Sequence, residues 1–257
     1  MTPSQFPSHG TVTVVSHTTV AQGYKRMELQ YANPVPQPEA GQFFTLASPL
    51  PAFTPLRRPF AYAETFPNGF SFIYELRGQV TQAIAQWPVG TQSDVIGPLG
   101  TPFPLPTEQR KPILVAGGIG VGPIYALAHT LCKNGYAPIV SLGSREAALI
   151  PDLDWPASAD VRICTDDGSK GIHGNALAAL QPDESKDAEF YSCGPHPMMK
   201  AVYQLAQKND APSWSSLEEM MACGVGACQG CAIPMEDGGY ERACVEGPVF
   251  DSRRLAW

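Results

Sequence analysis

The first hundred residues show the short apolar pattern of antiparallel strands. Alternate residues from Phe70 to Leu76 are large and apolar, which predicts a strand with one face in a core. β-Branched runs between Thr11 and Gln30, interrupted near Gln22 and Gly23, and the run Gln42 to Ala47 predict further strands. Clusters of Pro and Gly supply the turns between them. This pattern predicts a small antiparallel barrel or sandwich.

From about Arg110 the pattern changes to alternating strands and helices. Buried strands are predicted over 112–116, 138–143, 161–165 and 189–193, and helices over 124–133, 175–180 and 196–208. Parallel strands need crossover connections, which helices usually provide. This part of the chain is therefore predicted to be a parallel α/β sheet covered by helices.

At 257 residues the chain is long enough for more than one domain. We expect an antiparallel β domain over 1–108 and a parallel α/β domain over 109–211. A third unit, 212–257, is rich in cysteine and is too short to form a stable core without a metal. The predicted fold class is a β-barrel followed by an α/β domain and a small C-terminal metal-binding unit.

Charge and hydropathy exclude several classes of function. The net charge of −7 argues against nucleic acid or anionic lipid as the main partner. The first residues lack the basic and apolar segments of a secretory signal, and no apolar run approaches the eighteen residues of a membrane span. We therefore expect a cytoplasmic protein.

Four cysteines lie within twenty-two residues near the C-terminus. Cys223, Cys228 and Cys231 have the C-x4-C-x2-C spacing of plant-type [2Fe–2S] proteins, and Cys244 follows after twelve residues. In a reducing cytosol, clustered cysteines are metal ligands more often than disulfides. The spacing predicts a [2Fe–2S] cluster and hence one-electron transfer, and a zinc-stabilised binding module is the alternative. The other three cysteines are expected to be small buried side chains.

A glycine-rich segment, Gly117-Gly118-Ile119-Gly120-Val121-Gly122-Pro123, joins a predicted strand to a predicted helix. Its glycines permit a tight turn and a close approach to a ligand, and the helix N-terminus offers free N–H groups to a phosphate. A plain strand-to-helix turn needs fewer glycines, so we predict a nucleotide site. Cys193-Gly194-Pro195 follows another parallel strand, at the sheet edge where open α/β sheets bind ligands.

The segment Arg57-Arg58-Pro59-Phe60-Ala61-Tyr62 lies in a predicted strand of the first domain. Two adjacent arginines are most often simply exposed to solvent. An arginine fixed beside a proline and an aromatic residue is also suited to hold a pyrophosphate while the aromatic side chain packs on a ring.

Together these segments resemble the ferredoxin–NAD(P)⁺ reductase superfamily, over about residues 10–200. The resemblance implies an FAD-binding barrel, a pyridine-nucleotide site at the glycine-rich segment and a nicotinamide site near Cys193. Two positions depart from the family pattern, because Ala61 replaces a flavin-bonding serine and Val80 replaces a glycine in what we expect to be a flavin-binding strand. The cofactor-binding residues implied are Arg58, Pro59, Phe60, Ala61, Tyr74, Glu75, Leu76, Val80, Thr81, Gly117, Gly118, Gly120, Gly122, Pro123, Cys193, Gly194 and Pro195.

The cysteine segment, with Glu246-Gly-Pro-Val-Phe250 after its last cysteine, also resembles the electron-transfer subunits of NAD-linked, class 1B dihydroorotate dehydrogenases. Thr165-Asp166-Asp167-Gly168-Ser169 resembles a segment of the same subunits. This resemblance implies that Cys223, Cys228, Cys231 and Cys244 ligate the cluster. It further implies that electrons from a separate FMN-containing catalytic subunit pass through the cluster and FAD to NAD⁺, in a heterotetramer serving pyrimidine biosynthesis.

Two questions stay open at this point. A flavin and iron–sulfur subunit of a hydrogenase, or of a bifurcating ferredoxin:NADP reductase, shares the nucleotide motifs and differs in its partner. Ser144 and Arg145 suit a 2′-phosphate, whereas Glu146 repels one, so the residues do not separate NAD from NADP. No catalytic acid–base set is visible, which fits a chain whose reactive groups are cofactors.

Overall fold

The computed structural model describes residues 8–33, 35–50, 55–107 and 110–257. Its N-terminal part is a curled antiparallel sheet with the strand order β4-β3-β7-β1-β2-β6-β5. The strands are β1 (Ser8–Ala21), β2 (Tyr24–Tyr31), β3 (Phe43–Leu46), β4 (Arg58–Ala61), β5 (Glu64–Phe66), β6 (Gly69–Glu75) and β7 (Gln92–Leu99), with a short helix α1 (Gln79–Ile84) after β6. The hairpin between β1 and β2 turns at Gly23, whose φ of +76° favours glycine.

Aromatic side chains fill the interior of this sheet. Phe44 is fully buried and its ring lies 4.6 to 5.9 Å from four other aromatic rings, measured between centroids. The alternation predicted from Phe70 to Leu76 places Phe70, Phe72 and Tyr74 in this core. Ile73, on the opposite face, is also buried, because that face packs against the helix Val121–Lys133 and the turn before it. The strand therefore has both faces covered.

The second sheet is mostly parallel, with the order β11-β10-β9-β8-β12-β13-β16. Its strands are β8 (Lys111–Gly117), β9 (Ile139–Ser144), β10 (Asp160–Thr165), β11 (Ile172–His173), β12 (Ala188–Cys193), β13 (Ser213–Ser216) and β16 (Val249–Asp251), the last antiparallel to β13. Helices α2 (Val121–Lys133) and α3 (His196–Lys208) pack on it. Near-continuous burial along β8 and β12 is what a sheet covered on both faces requires.

The cysteine segment lies at the edge of the second sheet. It contains a two-stranded antiparallel sheet, β14 (Ala232–Pro234) with β15 (Tyr240–Arg242). Its apolar side chains share a core with Phe43 and Leu99 from the first sheet and with Met199 from α3. The segment is therefore anchored to both larger parts of the molecule through apolar contacts as well as through strands β13 and β16.

The predicted fold class is confirmed, with an antiparallel sheet, a parallel sheet with helices and a small C-terminal cysteine segment. One detail of the sequence prediction was wrong, because Val80 and Thr81 lie in helix α1 and not in a strand. The short helix predicted over 175–180 is present as a 3₁₀-helix, Ala176–Ala179. The boundaries of the three expected units stay a prediction, since β13 and β16 lie in the unit 212–257 yet extend the α/β sheet.

Within the described residues, none of the helices combines the length and the apolar character that a membrane span requires.

Candidate functional site

A cleft of about 270 Å³ lies between the two sheets, and the segment leading to the cysteines forms its third wall. The first sheet contributes the Arg58-Pro59-Phe60-Ala61 segment of β4, together with Tyr74 and Glu75 at the end of β6. The second sheet contributes Gly122 and Pro123 of α2 and Cys193 at the end of β12. Three segments that are distant in sequence therefore meet in one cleft.

The carboxyl ends of β8 and β12 bring the two glycine-containing turns into direct contact. A Cβ at Gly120 would lie 2.2 Å from the carbonyl oxygen of Cys193, and one at Gly194 would lie 2.7 Å from the carbonyl oxygen of Gly117. Both distances are to backbone atoms, which cannot rotate away as side chains do. Gly120 and Gly194 are therefore explained by close packing of the two turns, without a ligand.

Gly122 differs from these glycines. It lies in the first turn of α2 and lines the cleft, and a Cβ at this position would find no atom within 4 Å. The space beside it is open, and the helix N-terminus there offers backbone N–H groups that have no partner inside the helix. This is the kind of place where a phosphate of a nucleotide binds.

Arg58 is positioned by its neighbours at the mouth of the cleft. Its Nη1 atom donates to the carbonyl oxygen of Leu56 at 2.8 Å, while Arg57 donates to the carbonyl oxygen of Asp94 at 2.6 Å. The adjacent wall is aromatic, with the rings of Phe60 and Tyr74 6.0 Å apart. A fixed guanidinium beside an aromatic wall fits a ligand that has both a phosphate group and a flat ring.

Three polar groups of the cleft have raised pKa values. Burial raises the pKa of the Tyr74 hydroxyl, whose oxygen lies 2.7 Å from His17 Nε2. Burial likewise raises the pKa of the Cys193 thiol, so this thiol stays protonated at neutral pH. Glu218 remains accessible from the cleft, yet the walls around it displace enough water to raise the pKa of its carboxyl group. Cys193 is therefore a neutral wall residue and not a nucleophile.

The structure places the sequence-predicted residues in two groups. Those that line the cleft are Arg58, Pro59, Phe60, Ala61, Tyr74, Glu75, Thr81, Gly122, Pro123 and Cys193. Those that do not are Leu76, Val80, Gly117, Gly118, Gly120, Gly194 and Pro195. Val80 is only 5% exposed and packs in the core of the first sheet. Thr81 fixes the start of α1, because its Oγ1 accepts from the N–H groups of Arg77 and Gly78.

Sequence reasoning missed a whole wall of the cleft, formed by Ser216 to Glu219 together with Met221. These residues connect β13 directly to the first cysteine. No motif marks them, although their position between a parallel strand and the cysteine segment is a signal that was available. Because this wall continues into the cysteine loop, the cleft and the loop are neighbours.

The four cysteines gather at the end of this wall in two pairs. The thiol of Cys223 interacts with that of Cys228, and the thiol of Cys231 with that of Cys244. Four cysteine thiolates are the donor set that a [2Fe–2S] cluster requires.

Backbone N–H groups of the cysteine loop point at the sulfur atoms. Cys228 N lies 3.4 Å from Cys223 Sγ, and Gly230 N lies 3.4 Å from Cys228 Sγ. Burial opposes ionisation of Cys223, but N–H groups of Val225 and Cys228 outweigh it and bring the pKa of Cys223 down to about 6. Burial and the neighbouring Cys231 thiol raise the pKa of Cys244 to about 12. A loop that donates to sulfur is suited to thiolates bound to iron.

The cysteine loop rests directly on the first sheet. A Cβ at Gly224 would lie 2.8 Å from the methyl carbon of Thr45 in β3, so only glycine permits this contact, and its φ of +70° also favours glycine. The Thr45 hydroxyl is buried, and no described residue bonds to it. A polar group bound beside this loop would satisfy it.

Comparison with known proteins agrees with this arrangement. Residues 218–256 match the family model described as the iron–sulfur cluster binding domain of dihydroorotate dehydrogenase B. The chain is 35% identical to the dihydroorotate dehydrogenase B (NAD(+)) electron transfer subunit of Geobacillus kaustophilus, over 93% of this chain and 95% of that protein. It is 37% identical to the same subunit of Desulforamulus reducens, over 79% of this chain and 80% of that protein.

Solved structures share the fold. An NADH-dependent reduced ferredoxin–NADP oxidoreductase, studied for flavin-based electron bifurcation, superposes with a TM-score of 0.83 at 25% identity, covering 100% of this chain and 92% of that chain. Phthalate dioxygenase reductase superposes with a TM-score of 0.66 at 17% identity, covering 96% and 97%. The second similarity shows the fold alone.

Proposed function

The chain belongs to the family of electron-transfer subunits of NAD-linked dihydroorotate dehydrogenase B, and from that membership we propose the path its electrons take. Electrons leave dihydroorotate on the FMN of a separate catalytic subunit and enter this chain through a [2Fe–2S] cluster. They then reduce FAD and pass as a hydride to NAD⁺. The process serves pyrimidine biosynthesis in the cytoplasm, in a heterotetramer of two copies of each subunit.

One observation carries this proposal: the wall Ser216 to Glu219 lines the cleft and leads, through Met221, into the cysteine loop. A group in the cleft therefore lies next to a group held by the cysteines. A flavin accepts or donates two electrons as a hydride and also passes them singly, whereas an iron–sulfur cluster passes one. A flavin between a nicotinamide and a cluster is thus the necessary converter, and the cleft lies between the two predicted sites.

The lining of the cleft supports an assignment of residues to each group. Arg58 and the aromatic wall would hold FAD, with Ala61 supplying no side-chain hydrogen bond to the flavin ring. The open space beside Gly122 at the start of α2 would receive the pyrophosphate of NAD, with the nicotinamide near Cys193. Cys223, Cys228, Cys231 and Cys244 would ligate the two irons. The remaining glycines of the two turns would shape these sites through packing.

The decisive experiment joins this chain to its proposed partner. The chain is expressed with and without an FMN-containing dihydroorotate dehydrogenase subunit, and NAD⁺ reduction by dihydroorotate is followed at 340 nm. We expect the reaction only when both chains are present, together with visible flavin and iron–sulfur absorption and about two irons per copy of this chain. If the chains do not associate, or the rate with NAD⁺ is the same without this chain, the proposal is wrong.

Two cysteine variants separate the cluster from the flavin. Cys228→Ser is expected to stop electron transfer from the partner's FMN while NADH still reduces FAD. Cys132→Ser is the matched control, because Cys132 is a free cysteine in α2, outside the cysteine segment. Loss of both reactions in Cys228→Ser would mean that the cluster is needed for folding and would not support its proposed place in the path.

The similarity to the bifurcating oxidoreductase favours a second candidate, in which ferredoxin and NADP replace dihydroorotate and NAD. The higher identity to the dihydroorotate dehydrogenase subunits supports the first. Flavin reduction by NADPH at a rate equal to that with NADH, together with no association with the FMN subunit, would favour the second.

A further inference from the structure

Arg242 ties together the two stretches of chain that carry the cysteine pairs. It is the last residue of β15, two residues before Cys244. Its Nη1 atom donates to the carbonyl oxygen of Gly226, in the loop between Cys223 and Cys228, at 3.0 Å. One guanidinium group therefore spans from the segment of the fourth cysteine to the loop of the first two.

The other side of the guanidinium is held by Glu246. Arg242 Nε donates to Glu246 Oε2 at 3.0 Å, and Nη2 donates to Glu246 Oε1. The backbone N–H of Arg242 also donates to Glu246 Oε2, at 2.8 Å. The two side-chain bonds fix the plane of the guanidinium, as the fork geometry of arginine permits, and the backbone bond holds the carboxylate in place.

The loop is shaped to admit this side chain. A Cβ at Gly226 would lie 3.1 Å from Arg242 Nη1 and 2.7 Å from a methyl carbon of Val245, and its φ is +81°. The carbonyl oxygen of Arg242 accepts from the N–H groups of Val245, Glu246 and Gly247 at 3.0 to 3.2 Å. The turn containing Cys244 is thus built around Arg242.

Arg242 places its charge beside the cysteine loop. Its guanidinium bonds to the backbone of Gly226, between Cys223 and Cys228, and the residue itself is two positions before Cys244. The guanidinium groups of the other charged pairs described in this unit bond to Glu241 and Asp251 instead. Of these pairs, Arg242–Glu246 is therefore the one attached to the loop that carries the sulfurs.

We propose that Arg242 is a positioning residue that raises the reduction potential of the bound cluster, and that Glu246 moderates this effect. Reduction adds one negative charge to the cluster, so a fixed cation beside the sulfurs stabilises the reduced state and a nearby anion opposes it. The proposal rests on the proposed function, because it needs the four cysteines to hold a [2Fe–2S] cluster.

Opposite shifts of the reduction potential in two variants distinguish an effect of charge from an effect of loop structure. Arg242→Gln removes the cation and is expected to lower the equilibrium constant for cluster reduction about tenfold, which is about 59 mV for a one-electron couple. Glu246→Gln removes the anion and is expected to raise this equilibrium constant. If the pair acted only as a structural clamp, both variants would loosen the same loop and change the potential in the same direction.

Two further variants complete the test. Arg242→Lys keeps the charge but not the planar fork. Its equilibrium constant for cluster reduction is therefore expected to stay within about threefold of the wild-type value. Arg253→Gln is the matched control, since Arg253 forms a similar two-oxygen pair with Asp251 at the edge of the parallel sheet. It is expected to leave the potential unchanged.

The measurement is a redox titration of the purified holoprotein, followed by electron paramagnetic resonance of the reduced cluster, with iron and sulfide content as a second readout. Opposite shifts for Arg242→Gln and Glu246→Gln support the proposal, and shifts in one direction or none overturn it. If Arg242→Gln loses its iron, Glu246→Gln decides alone, and an unchanged or lowered potential overturns the proposal. Wild-type protein purified without iron and sulfide would instead refute the proposed function.

Discussion

Changing either of two glycines in one turn to alanine is expected to affect different properties, the stability of the protein in one case and its affinity for a nucleotide in the other. Gly120 lies against the backbone of Cys193, and a Cβ at Gly120 would be 2.2 Å from the carbonyl oxygen of Cys193. Gly122 faces open space in the cleft. The two positions are two residues apart, at the same end of α2. The pair therefore separates the glycine that packing requires from the one that a ligand would require.

The structure sets the size of each effect. A Cβ at Gly120 must push backbone atoms apart, and such overpacking costs about 1–3 kcal/mol or more. Replacing Gly122 in the first turn of a helix is expected to stabilise the protein by about 0.5–1 kcal/mol, because alanine loses less entropy on folding. If a pyrophosphate lies beside Gly122, the methyl group displaces it from charged hydrogen bonds worth about 1.5–3 kcal/mol, or about 10- to 100-fold in affinity.

The assays are urea unfolding at a fixed FAD concentration and the dissociation constant of NADH measured by titration. We expect Gly120→Ala to lose stability, and Gly122→Ala to gain about 0.5–1 kcal/mol of stability but lose affinity for NADH. Wild-type affinity in Gly122→Ala would refute the placement of the nucleotide at α2. Wild-type stability in Gly120→Ala would refute the explanation from close packing.

Three other predictions concern the fold and its charged groups. Phe44→Ala should lower the free energy of unfolding by about 3–5 kcal/mol in urea denaturation, because Phe44 is fully buried among four aromatic rings; a loss below about 1 kcal/mol would contradict this packing. Arg162 lowers the pKa of Glu184 from 4.5 to about 2, so this pair contributes stability above about pH 4.5 that is lost as the pH falls toward 2. Between pH 6 and pH 3, calorimetry should show that the free energy of unfolding falls by about 1 kcal/mol less in Glu184→Gln than in the wild type. An equal fall would exclude the assignment of this pH dependence to the pair. Burial raises the pKa of Cys193, so iodoacetamide at pH 8 should leave it unmodified in the native protein and modify it after denaturation, as mass spectrometry can establish; rapid native modification would show an accessible thiolate.

The sequence determined the elements and the chemistry of this protein because both depend on local spacing. The apolar runs fixed strands such as β8 and β12, and the predicted helix His196 to Lys208 matches α3. The spacing of the four cysteines predicted the iron–sulfur family that the comparisons confirm. Local spacing could not reveal helix α1, since Gln79 to Ile84 is a short apolar-polar mixture that either type of element accommodates.

The tertiary structure alone decided what each glycine and each wall residue does. In sequence Gly120 and Gly122 look alike, and only the approach of the Cys193 turn makes one a packing contact and the other a lining residue of the cleft. The wall at Ser216 to Glu219 and the bond from Arg242 to Gly226 join residues that no motif links. These features depend on distances between separate segments, and such distances are set when the two sheets and the cysteine segment pack together.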